Sequence, residues 1–72
     1  MKFQVGDYIK ATSKEYKNVV EIVKVVEQKG EDYEIEILFS ENGYEGSHYS
    51  ALKQTHWNLE KITKEEAMVE LL

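Results

Sequence analysis

The clearest pattern in the chain lies between residues 33 and 39. Tyr33, Ile35, Ile37 and Phe39 fall at every second position, with Glu34 and Glu36 between the first three. Side chains on a strand repeat every two residues, so this spacing predicts a central strand with an apolar stripe on one face and carboxylates on the other. On a helix the same residues would scatter around the circumference.

The segments on either side fit the same reading. Val19–Gln28 holds five Val and one Ile, residues whose stiff χ1 favours strands. Its alternation is imperfect: Val20, Ile22, Lys24 and Val26 share one face, and Val19, Glu21, Val23 and Val25 the other. A long strand that bends, or changes its buried side at a bulge, accounts for two partly apolar faces. Lys29-Gly30-Glu31-Asp32 then turns the chain into Tyr33–Phe39, giving a hairpin. Upstream, Gly6-Asp7 is a turn signal. After it, Ile9 and Ala11 lie on one strand face, and Tyr8, Lys10 and Thr12 on the other. Thr12–Asn18 is polar and reads as a loop.

Downstream, Asn42-Gly43 is a strong hairpin turn. Glu45–Tyr49 forms a short strand, Ser50–Gln54 a single helical turn, and Trp57–Ile62 the last strand, with a bulge or turn expected near Glu60 where the alternation slips. Thr63-Lys64-Glu65-Glu66 has the spacing of a capping box and predicts a helix over about 64–72. Ala67, Met68, Leu71 and Leu72 share a face of it. So short a helix must dock to persist, so this face is expected either to pack in cis or to meet a partner or a second copy.

Val5-Gly6-Asp7-Tyr8-Ile9 resembles the opening of many SH3-like small barrels, the KOW and Tudor-like variants among them. The resemblance implies a small barrel of four to five antiparallel strands, here with a short C-terminal helix, and residues 1–72 forming one domain. Trp57-x-Leu59-x-x-Ile62-Thr63-x-Glu65-Glu66-Ala67 also resembles the tail of small uncharacterised phage and prophage proteins. That likeness implies a genomic habitat and carries over no catalytic residue.

Composition narrows the class. Seventy-two residues make one domain, which buries only about 60% of its unfolded surface. There is no cysteine, which excludes disulfides and thiolate metal sites. The opening Met-Lys-Phe-Gln-Val-Gly-Asp is not expected to act as a signal peptide, and no apolar run approaches the ~18–20 residues that span a bilayer. A soluble protein of the bacterial or host-cell cytoplasm is expected. The net charge of −5 is uneven: residues 1–29 hold six Lys against four acids, and residues 30–72 three Lys against ten. Six acids and no Lys lie between Glu31 and Glu45. This excludes a uniformly basic nucleic-acid binder and leaves either a solvation surface or an acidic face for a basic partner.

The chemistry-bearing residues converge on no enzyme. His48 and His56 lack metal-site spacing. Ser47-His48 and Thr55-His56 are sequence neighbours, which on a strand point to opposite faces. The four glycines stand at turns or strand starts and form no phosphate loop, and Glu34 and Glu36 have no cleft to work in. No catalytic residue, metal site or cofactor is expected.

The aromatics are more informative. Five Tyr, two Phe and one Trp are generous for this length. Phe3, Tyr33, Phe39 and Trp57 are expected in the core. Tyr8, Tyr16, Tyr44 and Tyr49 lie in or beside turns, where they either pack flat on the barrel or line a groove of the sort SH3-like barrels use. The leading expectation is a non-enzymatic protein-interaction module whose partner meets Tyr8, Tyr16, Tyr44, Tyr49, Glu34 and Glu36. The alternative is a nucleic-acid-associated accessory domain using Lys10, Lys14, Lys17 and Lys24 with Tyr16. Monomer, or weak homo-oligomer through the C-terminal helix, is expected for the assembly.

Overall fold

The computed structural model describes residues 3–15, 19–40, 46–50 and 57–72, with 47–50 described by their backbone alone. Its elements are β1 (Tyr8–Ser13), β2 (Val20–Lys29), β3 (Asp32–Ser40), β4 (Gly46–Ser50), β5 (Trp57–Ile62) and α1 (Lys64–Glu70). The five strands form one antiparallel sheet in the order β4-β3-β2-β1-β5. Consecutive strands β1 to β4 are neighbours, and β5 returns to the free side of β1. Closing a sheet into a barrel requires hydrogen bonds between its edges. Among the described residues the edge strands β4 and β5 do not pair, so the sheet is open and the expected closed barrel does not form from them. The expected Asn42-Gly43 turn and the helical turn at Ser50–Gln54 fall outside the described residues, apart from Ser50, which ends β4.

The turn into β1 is built as its residues suggest. Gly6 takes a φ of 97°, open to glycine at no steric cost. The Asp7 carboxylate accepts a hydrogen bond from the Gln4 N–H at 2.9 Å, and the Asp7 N–H donates to the Gln4 carbonyl at 3.0 Å. Asp7 also faces the Lys61 ammonium at 3.4 Å, which ties this turn to β5.

The sheet buries side chains on both faces. One, the core face, carries Ile9, Val23, Val25, Tyr33, Ile35 and Ile37, with Phe3 packed over it and Leu59 at its margin. The Phe3 and Tyr33 rings meet edge to face at 6.1 Å, and the Phe3 N–H donates to the Tyr33 hydroxyl at 3.2 Å. The other, the helix face, carries Ile22 and Ile62 beneath Ala67 of α1, edged by Tyr8, Val20, Leu38 and Phe39.

Two bulges in the β2–β3 pair set this division. The register steps between Ile22↔Phe39 and Val23↔Ile37, leaving Leu38 unopposed on β3. It steps again between Val25↔Ile35 and Glu27↔Glu34, leaving Val26 unopposed on β2. An extra residue reverses the phase of the side chains that follow. Phe39 therefore leaves the stripe of Tyr33, Ile35 and Ile37 and packs on the helix face, half-buried, contrary to the alternation. The imperfect pattern of Val19–Gln28 has the same origin, as expected. Trp57 is also only half-buried.

Neither the bulge nor the turn expected near Glu60 forms. β5 pairs with β1 in unbroken register from Ser13↔Trp57 to Tyr8↔Ile62. Leu59 faces the core while Ile62 faces α1, so both parities of β5 carry an apolar contact without any slip.

The capping box forms as its spacing predicts. The Glu66 N–H donates to Thr63 Oγ1 at 3.1 Å, and the Thr63 N–H donates to Glu66 Oε1 at 3.0 Å. The helix ends at Glu70, earlier than the expected Leu72, and only Ala67 of the expected apolar face is buried. Met68, Leu71 and Leu72 stay exposed. A seven-residue helix anchored by one alanine and a Lys10–Glu70 ion pair of 3.0 Å presents little else to the sheet.

Candidate partner-binding face

The register places several of the sequence-selected residues on one row. Tyr8 of β1 lies directly opposite Lys24 of β2, and Lys24 opposite Glu36 of β3. All three share the helix face, because their strand neighbours Ile9, Val23, Val25, Ile35 and Ile37 point to the core. Lys24 Nζ sits 5.6 Å from the Tyr8 ring centroid, a cation–π contact. Tyr8 and Lys24 are half-buried and Glu36 is exposed.

Glu34 lies two residues along β3 from Glu36 on the same face, and the Val26 bulge sets Glu27 directly opposite it. Like charges directly opposed across a strand pair are destabilising. Glu27, Glu34 and Glu36 thus form an acidic strip beside the aromatic–lysine pair. Sequence reasoning missed Glu27. Its signal was the broken alternation at Val25-Val26, which marks a bulge without saying which cross-strand residues it brings together.

Of the four turn-associated tyrosines, only Tyr8 has a described side chain. Tyr8 stands on β1 and Tyr49 on β4, with β2 and β3 between them. Tyr49 takes the register position opposite Glu34, which places it beside the acidic strip. Tyr16 and Tyr44 lie outside the described residues.

The lysines are spread among carboxylates. Lys10 contacts Glu70 at 3.0 Å and has Glu60 as its register partner on β5. Lys24 lies between Tyr8 and Glu36. Lys14 is exposed just past β1, and Lys17 lies outside the described residues. On the core face, the buried Ser40 hydroxyl donates to the half-buried Glu21 carboxylate at 3.0 Å, which satisfies a polar pair at the sheet margin.

Among the described residues no three His, Asp or Glu side chains gather as a metal-binding group, and no helix is long and apolar enough to cross a membrane. The side chain of His48, and all of His56, lie outside them. Comparison with protein-family models, curated protein sequences and solved structures finds no match to this chain.

Proposed function

We propose that the chain is a non-enzymatic protein-interaction module of SH3-like small-barrel type, which binds a basic protein surface through the acidic strip of its helix face. The observation that carries this reading is the Glu27–Glu34 opposition next to Glu36. A like-charged pair set face to face by a bulge is a local cost that a cationic partner relieves. Tyr8, seated against Lys24 on the same row, supplies an aromatic part of the surface, and Tyr49 takes the register position opposite Glu34.

The strand order supports the barrel type. A meander of four strands, with a fifth returning beside the first, is the arrangement an SH3-like barrel requires, and β2 is long enough to serve both halves. The Val5–Ile9 opening and the Trp57–Ala67 tail agree with a protein encoded by a phage, prophage or other bacterial mobile element and acting in the bacterial cytoplasm. The nucleic-acid reading draws less support, because Lys10 and Lys24 sit among carboxylates that would repel phosphate.

The test is capture from bacterial lysate with immobilised wild-type chain, with the Glu34→Lys/Glu36→Lys variant, and with Glu15→Lys/Glu60→Lys as a control of equal charge change. A partner held by wild type and control but lost with the first variant is the expected result. The same proteins captured by all three, or none by a folded wild type, would overturn the proposal.

A further inference from the structure

Little holds α1 to the sheet. Ala67 is its one buried side chain, and it packs over Ile22 and Ile62. The backbone hydrogen bonds of the segment are internal: the Ala67 N–H donates to the Thr63 carbonyl at 3.0 Å, and the Leu71 N–H to the Ala67 carbonyl at 3.1 Å. The capping box of Thr63 and Glu66 is internal too. Among the described residues the polar tie from α1 to the strands is Lys10–Glu70, whose side chains are 31% and 41% exposed. A water-exposed pair of this kind shifts an equilibrium by about five-fold at most. So short a helix does not keep its shape once undocked.

The patch that α1 covers is continuous with the acidic strip. The register sets Glu36, Lys24, Tyr8 and Ile62 side by side across β3, β2, β1 and β5. Ile22 lies two residues from Lys24 on the same face, opposite Phe39 on one side and Lys10 on the other. One face therefore runs from carboxylates, through the Tyr8–Lys24 pair, to apolar side chains beneath Ala67.

We propose that α1 is a lid. It leaves the sheet while the strands stay folded, and the basic partner of the acidic strip enters the apolar patch it uncovers. That partner is a cationic segment with apolar residues beside its charges. Glu70 is open to its lysine or arginine, and pairing there unfastens the Lys10 tie. Its apolar side chains then replace Ala67 over Ile22 and Ile62. A partner that prefers the open form draws the population toward it, and opening raises the partner's affinity by the same factor. The partner's entry rests on the acidic-strip reading, whereas the opening of α1 does not.

The chain has no cysteine, so one introduced thiol reports its own exposure. Ala67→Cys places it between α1 and the sheet, and Val23→Cys in the core face, where Val23 is 2% exposed. Both are labelled with a maleimide, and urea midpoints report their folding. Ala67→Cys is expected to react at least about ten-fold faster than Val23→Cys, and a few-fold faster again with Glu70→Gln added. A leucine–lysine peptide should quicken Ala67→Cys further, a serine–lysine peptide of equal charge should not, and neither should change Val23→Cys. Hydrogen exchange at the wild-type Ala67 and Val25 N–H groups makes the same comparison without substitution. Equal rates at the two sites by either method, or Ala67→Cys labelling that the leucine–lysine peptide leaves unchanged or slows, would overturn the proposal. Quickening that persists in Glu34→Lys/Glu36→Lys upholds the lid and counts against the strip.

Discussion

Glu27 concentrates the residue-scale argument. It faces Glu34 only because Val26 is unopposed, so its meaning is invisible in the linear sequence. Replacing one member of a like-charged cross-strand pair removes repulsion worth ~0.2–1 kcal/mol. Glu27→Lys is therefore expected to raise stability by about 0.5 kcal/mol in urea denaturation, while weakening capture of the basic partner. A loss of stability would show that the opposition is already neutralised in the folded chain.

Tyr33 makes the complementary point. Alternation was enough to place its ring in the core, but its hydroxyl accepts a buried N–H thirty residues away, which no local pattern announces. Tyr33→Phe leaves that N–H unpaired and is expected to cost about 1–3 kcal/mol, read as a lower urea midpoint at constant slope.

Element by element, local chemistry was legible and the facing was not. The capping box of Thr63 and Glu66, the Gly6-Asp7 turn and the β2–β3 hairpin follow from short-range rules, and each forms. Which face an element buries depends on register and on what lies opposite. That is why Phe39 crosses to the helix face and why α1 docks through Ala67 alone. Two substitutions separate these contributions. Thr63→Ala removes the cap and is expected to cost about 1 kcal/mol, seen as a lower unfolding midpoint. Ala67→Leu forces a larger side chain against Ile22 and Ile62, where overpacking costs ~1–3 kcal/mol. It should loosen α1 from the sheet, detectable as faster proteolysis after Leu71 with the strands still protected. A stabilised Ala67→Leu would mean that the gap beneath α1 is larger than the buried Ala67 implies.

At the scale of the whole molecule, a 72-residue chain without cysteine packs its described residues into two modest apolar clusters, one on each face of a single sheet. Domains of this size are marginally stable, so an opposed acid pair and the exposed apolar side chains of α1 are tolerated at a cost that must be offset elsewhere. The β-rich class and the strand order's first four members were legible because hairpins join neighbours. The return of β5 to β1 rests on long-range pairing, which periodicity does not encode. The candidate site was half legible: Glu34, Glu36 and Tyr8 were selected from the sequence, while Lys24 was assigned to the competing lysine patch and Glu27 to no site.

The central claim is that the acidic strip is the contact surface, and the most direct measurement is site-specific photo-cross-linking in bacterial cells. A photoreactive residue placed at position 36 is expected to give a discrete adduct of higher mass that disappears when Glu34→Lys is added, while the same residue at position 61, on the core-face side of β5, gives none. Equal adducts from positions 36 and 61, or an adduct from position 36 that persists with Glu34→Lys, would contradict it.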